Sequence, residues 1–92
     1  MLSDPAPESE RQPLESKWRV RLFRALDDLE RARARLKEAE TLRSSQPVGH
    51  PDGEFAHQEA IKAETAALSE YTRVLRITSD LIVHGKIPPP EE

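Results

Sequence analysis

The sequence predicts an all-α protein, an antiparallel two-helix hairpin that is coiled-coil-like and dimerises into a four-helix bundle. Three observations support this prediction. Proline is confined to a few parts of the chain, apolar residues recur at helical spacing between those parts, and the connection between the two periodic segments is short. The chain of 92 residues is long enough for one small domain.

The positions of proline mark the ends of the predicted helices. Proline in a helix interior costs about 3 kcal/mol or more, and two long segments contain none. The prolines are Pro5, Pro7, Pro13, Pro47, Pro51, Pro88, Pro89 and Pro90. We expect a disordered N-terminal arm over 1–12, a helical hairpin over 13–84 and a Pro-rich C-terminal tail over 85–92.

Within the hairpin, the first helix is predicted over 13–43, the loop over 44–52 and the second helix over 53–84. Pro13 suits the first position of a helix, and Asp52 suits the position before one. Gly85 suits the position just after a helix end.

Apolar residues form one stripe on each predicted helix. The stripe of the first helix combines two series at heptad spacing, Leu22, Leu29 and Leu36 with Trp18, Ala25, Ala32 and Ala39. Alternating large residues and alanines allow a close approach of two helices. The apolar arc of the second helix is wider and contains Ala60, Ile61, Ala67, Leu68, Tyr71, Val74, Leu75, Thr78, Leu81 and Ile82.

The loop position predicts which residues of the two helices face each other. Its midpoint lies near residues 48–49, so the numbers of facing residues add up to about 97. Two polar pairs then meet, Arg33 with Glu64 and Glu40 with His57. The apolar pairs in this register are Leu36–Ile61, Leu29–Leu68, Leu26–Tyr71 and Leu22–Leu75.

The apolar surface is wider than one hairpin can bury, which predicts self-association. Small two-helix units rarely fold without help; oligomerisation is one usual remedy, and twofold is the commonest symmetry of closed oligomers. The residues expected to form the interface are Trp18, Val20, Phe23, Tyr71, Val74, Leu81 and Ile82. The predicted function is that of a small protein–protein interaction or scaffolding module, with a heterologous protein partner as the other option.

A metal site is the first alternative function. Glu54 and His57 are three residues apart, on one helix face, and the register brings Glu40 opposite His57. Doubled in a dimer, this set resembles the ligands of ferritin-like di-metal carboxylate bundles, which implies iron, manganese or zinc. The competing interpretation is that Glu54 favours the helix N-terminus and that Glu40 and His57 form a polar pair.

Nucleic-acid binding through the basic first helix is the second alternative. Residues 13–43 contain nine Lys and Arg against six acids, and the arginine ridge consists of Arg21, Arg24, Arg31 and Arg35. The whole chain, however, has a net charge of −3 and a pI near 5.6. We therefore expect no strong attraction to polyanions.

Other classes of protein are disfavoured by the composition. No Gly-rich phosphate loop, nucleophile elbow or His-Glu-x-x-His pair is present, so we expect no enzyme activity. Charged residues make up 34% of the chain and the mean hydropathy is −0.72, so we expect no membrane span. Without cysteine or a recognisable secretory signal, the expected location is the cytoplasm.

Overall fold

The computed structural model describes residues 8–45 and 51–89. These residues form two α-helices, α1 (Glu8–Ser45) and α2 (Pro51–His84), and no strand is found in these two ranges. The helices pack against each other as an antiparallel hairpin, since Trp18 near the start of α1 packs with Leu81 near the end of α2. The predicted all-α hairpin is confirmed.

The first helix begins earlier than the sequence predicts. Its first residue is Glu8, and Pro13 lies inside the helix, so residues 8–12 do not belong to a disordered arm. Pro13 is the sixth residue of α1, so it removes the N–H that would donate to the carbonyl of Ser9, and its ring crowds that carbonyl. The polar residues before it belong to the helix all the same, while residues 1–7 lie outside the described part of the chain.

The loop is shorter than predicted. Ser44 and Ser45 close α1, and α2 begins at Pro51, so only 46–50 of the predicted loop lie outside the described residues. Proline at the first position of α2 loses no intrahelical hydrogen bond. Asp52 is consequently the second residue of α2 rather than the residue that precedes it.

The contact between the helices follows a spacing of three and four residues. We call the buried and half-buried residues at this spacing the seam. On α1 the seam comprises Trp18, Leu22, Ala25, Leu29, Ala32, Leu36 and Ala39, and on α2 it comprises His57, Ala60, Glu64, Ala67, Tyr71, Val74, Thr78 and Leu81. This seven-residue repeat is the pattern of a coiled coil.

The best-buried part of the seam lies at the end of the hairpin away from the loop. There Trp18 and Leu81 are 2% and 0% exposed and pack with Ala25 and Val74. The partly buried residues packed against this cluster are Leu14, Leu22, Tyr71 and Ile77. The apolar core is therefore concentrated at the open end.

One polar side chain is buried in this seam without an energetic conflict. Thr78 is 3% exposed, and its hydroxyl donates to the carbonyl oxygen of Val74 at 2.7 Å. A buried hydroxyl that has a hydrogen-bond partner avoids most of the desolvation cost. Thr78 can therefore occupy a core position between Val74 and Leu81.

The end of α2 is fixed by a glycine, as predicted. Gly85 has φ of 65°, a left-handed value that costs little without a Cβ atom. Its N–H donates to the carbonyl oxygen of Leu81 at 3.0 Å, and the N–H of Lys86 donates to that of Asp80 at 3.2 Å. These bonds use carbonyl groups that the helix leaves without partners.

Replacing Gly85 with alanine should lower the free energy of unfolding by about 1–2 kcal/mol, because the new Cβ atom penalises the left-handed conformation. Chemical denaturation followed by circular dichroism measures the loss. Lys86→Ala is the control, since Lys86 is exposed and its backbone N–H is retained. Equal stability of Gly85→Ala and the wild type would contradict this account of the helix end.

Neither described helix contains a stretch that is long and apolar enough to cross a membrane.

Candidate interaction surface

Two polar pairs lie at the edge of the seam in the half of the hairpin near the loop, each formed by one seam residue of α2 and one residue of α1 beside the seam. Arg33 Nε lies 4.0 Å from Glu64 Oε2, and His57 Nε2 lies 3.8 Å from Glu40 Oε1. The structure thus brings together both pairs that the 97 register requires. Both partners from α1 directly follow a seam alanine, so the two pairs lie on the same side of the hairpin.

Exposed apolar side chains form a row on that same side, along α2. The row consists of Ile61 (43% exposed), Leu68 (40%), Leu75 (39%) and Ile82 (37%). Its members are seven residues apart and each directly follows a seam residue. The matching position on α1, after Ala25, holds the half-buried Leu26. We call Leu26 and the α2 row the apolar flank.

The opposite side of the hairpin is charged. An open groove of about 320 Å³ lies over Ala25 and Val74. The charged residues that line it are Arg21, Arg24, Asp28, Glu70 and Arg73. Each of them directly precedes a seam residue, whereas each flank residue directly follows one, so the groove and the flank lie on opposite sides. The hairpin therefore has one side that is charged on both helices, and one side on which α2 carries the apolar row while α1 carries Arg33 and Glu40 beside Leu26.

The predicted interface residues are distributed over two environments. Trp18, Val74 and Leu81 are buried between the helices, and Tyr71 is half-buried against them. The exposed ones are Val20, Phe23 and Ile82, of which Phe23 is 69% exposed. The first group forms the core of one chain, so only the second group and part of Tyr71 are accessible to another molecule.

Sequence reasoning listed Ile82 as an interface residue but missed Ile61, Leu68 and Leu75. The predicted register places these three residues in the seam opposite Leu36, Leu29 and Leu22. The structure places them one position beyond it, because Ala60, Ala67 and Val74 hold the contact. The sequence feature that could have identified these residues is their seven-residue spacing, which is the same as that of the seam residues directly before them.

The predicted metal ligands are not assembled into one cluster. Glu54 Oε1 accepts a hydrogen bond from Arg43 Nε at 3.1 Å, and Arg43 Nη2 lies 2.9 Å from the same oxygen as an ion pair. Glu40 lies near His57, but the described residues include no group of three potential ligands that could hold a metal ion. Arg43 thus neutralises the carboxylate that the metal hypothesis needs.

Three of the four arginines of the basic ridge have neighbours within the chain, namely Arg21, Arg24 and Arg31. Arg31 Nη2 lies 2.7 Å from Asp27 Oδ2, and the Arg21 guanidinium stacks 4.6 Å above the Trp18 ring. Arg24 shares the charged groove with Asp28. Acidic side chains are thus interspersed along this face, which weakens its field toward a polyanion.

No protein-family model matches the sequence, and no curated protein and no solved structure matches it either.

Proposed function

We propose that this protein is a small non-enzymatic interaction module that self-associates through its apolar flank into a four-helix bundle. The observation that carries the proposal is the row Ile61, Leu68, Leu75 and Ile82, which is exposed along the whole contact length of α2. Single apolar residues scattered over a protein surface are normal, whereas these four repeat along one edge of α2 with the small polar residues Thr65, Thr72 and Ser79 between them. We also propose a cytoplasmic location, since a chain without cysteine gains nothing from an oxidising compartment.

The energetics favour a reversible dimer. Each residue of the row still exposes about two fifths of its surface, so covering it contributes roughly 1 kcal/mol. Summed over both copies, this gain is of the same order as the cost of association, about 4–15 kcal/mol. Self-association should therefore depend on protein concentration.

The test is the solution mass of a charged flank variant. The wild type should scatter light as a dimer of the 10.4 kDa chain, and Leu68→Lys combined with Leu75→Lys should shift it to the monomer. Two buried lysines in the interface would lack partners and favour dissociation.

Ser69→Lys combined with Ala66→Lys is the matched control, because both residues are exposed and lie on α2 away from the flank. This control adds the same charge and should remain dimeric. A wild-type chain that is folded by circular dichroism and stays monomeric at high concentration would overturn the proposal.

A further inference from the structure

We infer that the two copies dock antiparallel, with their loops at opposite ends, so that α2 pairs with α2 of the partner and α1 with α1 of the partner. This inference rests on the proposed self-association and adds the direction and the register of the contact. It follows from the order of large, small and charged residues on the side of the hairpin that carries the apolar flank.

Each helix carries a second heptad stripe on this side, which we call its outer stripe. Its residues directly follow seam residues, at alternating spacings of three and four. The outer stripe of α2 alternates aliphatic and small hydroxyl residues, whereas that of α1 is apolar only near the open end. The α2 stripe consists of Ile61, Thr65, Leu68, Thr72, Leu75, Ser79 and Ile82, and the α1 stripe consists of Arg19, Phe23, Leu26, Glu30, Arg33, Lys37 and Glu40.

The α2 stripe is complementary to an antiparallel copy of itself. When the copy runs in the opposite direction, the spacings of three and four coincide only if large residues face small ones. Each layer then combines one aliphatic and one small side chain, so that one distance between the helices suits the whole contact. In the register with residue numbers that add up to 147, Leu68 faces the partner's Ser79, Leu75 faces the partner's Thr72 and Ile82 faces the partner's Thr65.

The hydroxyl of Thr72, at the middle of this stripe, can be covered without losing a hydrogen bond. It donates to the carbonyl oxygen of Leu68 at 2.9 Å. The buried Thr78 makes the same bond within the seam, to Val74. A hydroxyl that is bonded within its own helix avoids most of the cost of leaving water, so Thr72 is compatible with an aliphatic neighbour from a second copy.

The α1 stripes fit each other in the same arrangement. Facing residues of the hairpin add up to about 97, so the α1 stripes meet near the register in which residue numbers add up to 49. There Phe23 faces the partner's Leu26, and Arg19 faces the partner's Glu30. Phe23 is 69% exposed in the single hairpin, and this contact covers it.

The pairing of Arg19 with the partner's Glu30 joins opposite charges. Both residues are exposed, and neither forms an ion pair within residues 8–45 and 51–89. Twofold symmetry produces this contact twice, once on each side of the apolar centre. Complementary charges at the rim of an interface fix its orientation and register more than they add affinity.

Docking with the loops at the same end gives a poorer match. It sets the α2 stripe against the α1 stripe of the partner, with residue numbers that add up to 98. Leu68 then faces the partner's Glu30, and Ile61 faces the partner's Lys37. Charged groups against aliphatic side chains lose water without gaining a partner of opposite charge. The same-end contact therefore separates the charges that the opposite-end contact pairs.

A shift of the opposite-end contact by one heptad toward the loops is also disfavoured. It would cover Ile61, which lies at the edge of the contact in the register of 147. The same shift would set Arg19 against the partner's Lys37 and Phe23 against the partner's Arg33. Like charges and a desolvated guanidinium oppose it, so the copies overlap at their open ends.

A charge-reversal cycle tests this register. Arg19→Glu faces an acid of the partner, and Glu30→Arg faces an arginine, so each single change should raise the dimer dissociation constant roughly tenfold. The double variant restores opposite charges across the interface and should return to within about threefold of the wild type. Analytical ultracentrifugation measures the three constants, with folding checked by circular dichroism.

Arg35→Glu is the matched control for Arg19→Glu. Arg35 is exposed and directly precedes the seam residue Leu36, so it lies on the opposite side of the hairpin. This change alters the charge of α1 by the same amount and should leave the dissociation constant within about twofold. A double variant of Arg19 and Glu30 that dimerises no better than the single variants would overturn the register.

A distance measurement tests the direction independently of these charges. The chain has no cysteine, so Ser44→Cys provides one spin-label site near the loop. Opposite-end docking should give a label separation of roughly 60 Å at 1.5 Å per residue, whereas same-end docking would give less than about 30 Å. Ser69→Cys, near the middle of α2, should give a short distance in either dimer and shows that the labels report it.

The outcomes separate this inference from the proposed function. A dimer with the long Ser44 distance and a restored double variant supports both. A dimer with the short Ser44 distance overturns the inferred direction and leaves self-association standing. A chain that stays monomeric overturns both proposals.

Discussion

Replacing Trp18 with alanine should lower the free energy of unfolding by about 3–5 kcal/mol, the range for removal of a buried large aromatic side chain. Trp18 is 2% exposed and packs with Ala25, Val74 and Leu81 at the open end of the hairpin. Alanines occupy much of the remaining seam and cannot expand to fill the cavity. Small domains are stable by only about 5–15 kcal/mol, so this variant should be close to unfolding at room temperature.

Urea denaturation followed by circular dichroism measures this effect at one fixed protein concentration. Val20→Ala is the control, since Val20 lies two residues further along α1 and is mostly exposed. Its effect should stay within about 0.5 kcal/mol. A loss below about 1 kcal/mol for Trp18→Ala would show that the open end is not the core of this fold.

Replacing Leu81 with alanine should cost about 2–5 kcal/mol, because Leu81 has no exposed surface and contributes the α2 side of the same cluster. Within this range, the loss of unfolding free energy depends on how far the Trp18 side chain can move into the space that Leu81 leaves. The double variant should lose less than the sum of the single losses, since both side chains line one cavity.

Val83→Ala is the control for Leu81, because Val83 lies in the same turn of α2 and is largely exposed. The measurement is again the free energy of unfolding in urea. Strictly additive losses for Trp18 and Leu81 would mean that the two side chains do not share a cavity.

The antiparallel register could be predicted from the sequence because its polar residues pair in one register and are separated when the helices are shifted. A shift by one turn would still bring apolar residues together, but it would separate Arg33 from Glu64. The structure places these two side chains 4.0 Å apart. Complementary charges beside an apolar stripe therefore predict the register better than the apolar residues do.

The start of α1 was not accessible from the sequence. Pro13 marks a helix start in most sequences, yet here the helix continues back to Glu8. The one hydrogen bond that Pro13 removes is a local cost, whereas Leu14 packs against the core cluster at that end. A prediction of the helix start from the backbone effect of proline alone does not include this tertiary contact of Leu14.

The candidate site was only partly accessible. A helical wheel shows that the α2 arc is too wide for one partner, but it does not show which edge of the arc is left over. Nor does it show that Arg43 engages Glu54, the acid that the metal hypothesis required. The exposed edge of the arc and the contact between Arg43 and Glu54 both depend on how the helices rotate about their axes when they pack.

The sequence by itself determined the helical class, the antiparallel register and the glycine that ends α2. These follow from spacing, loop length and backbone conformation, which are local properties or repeat along the chain. Only the tertiary structure decided that Leu68 and Leu75 lie outside the seam while alanines and Val74 fill it. Small residues let the helices approach closely, and this close approach turns the larger aliphatic side chains outward, where a partner can cover them.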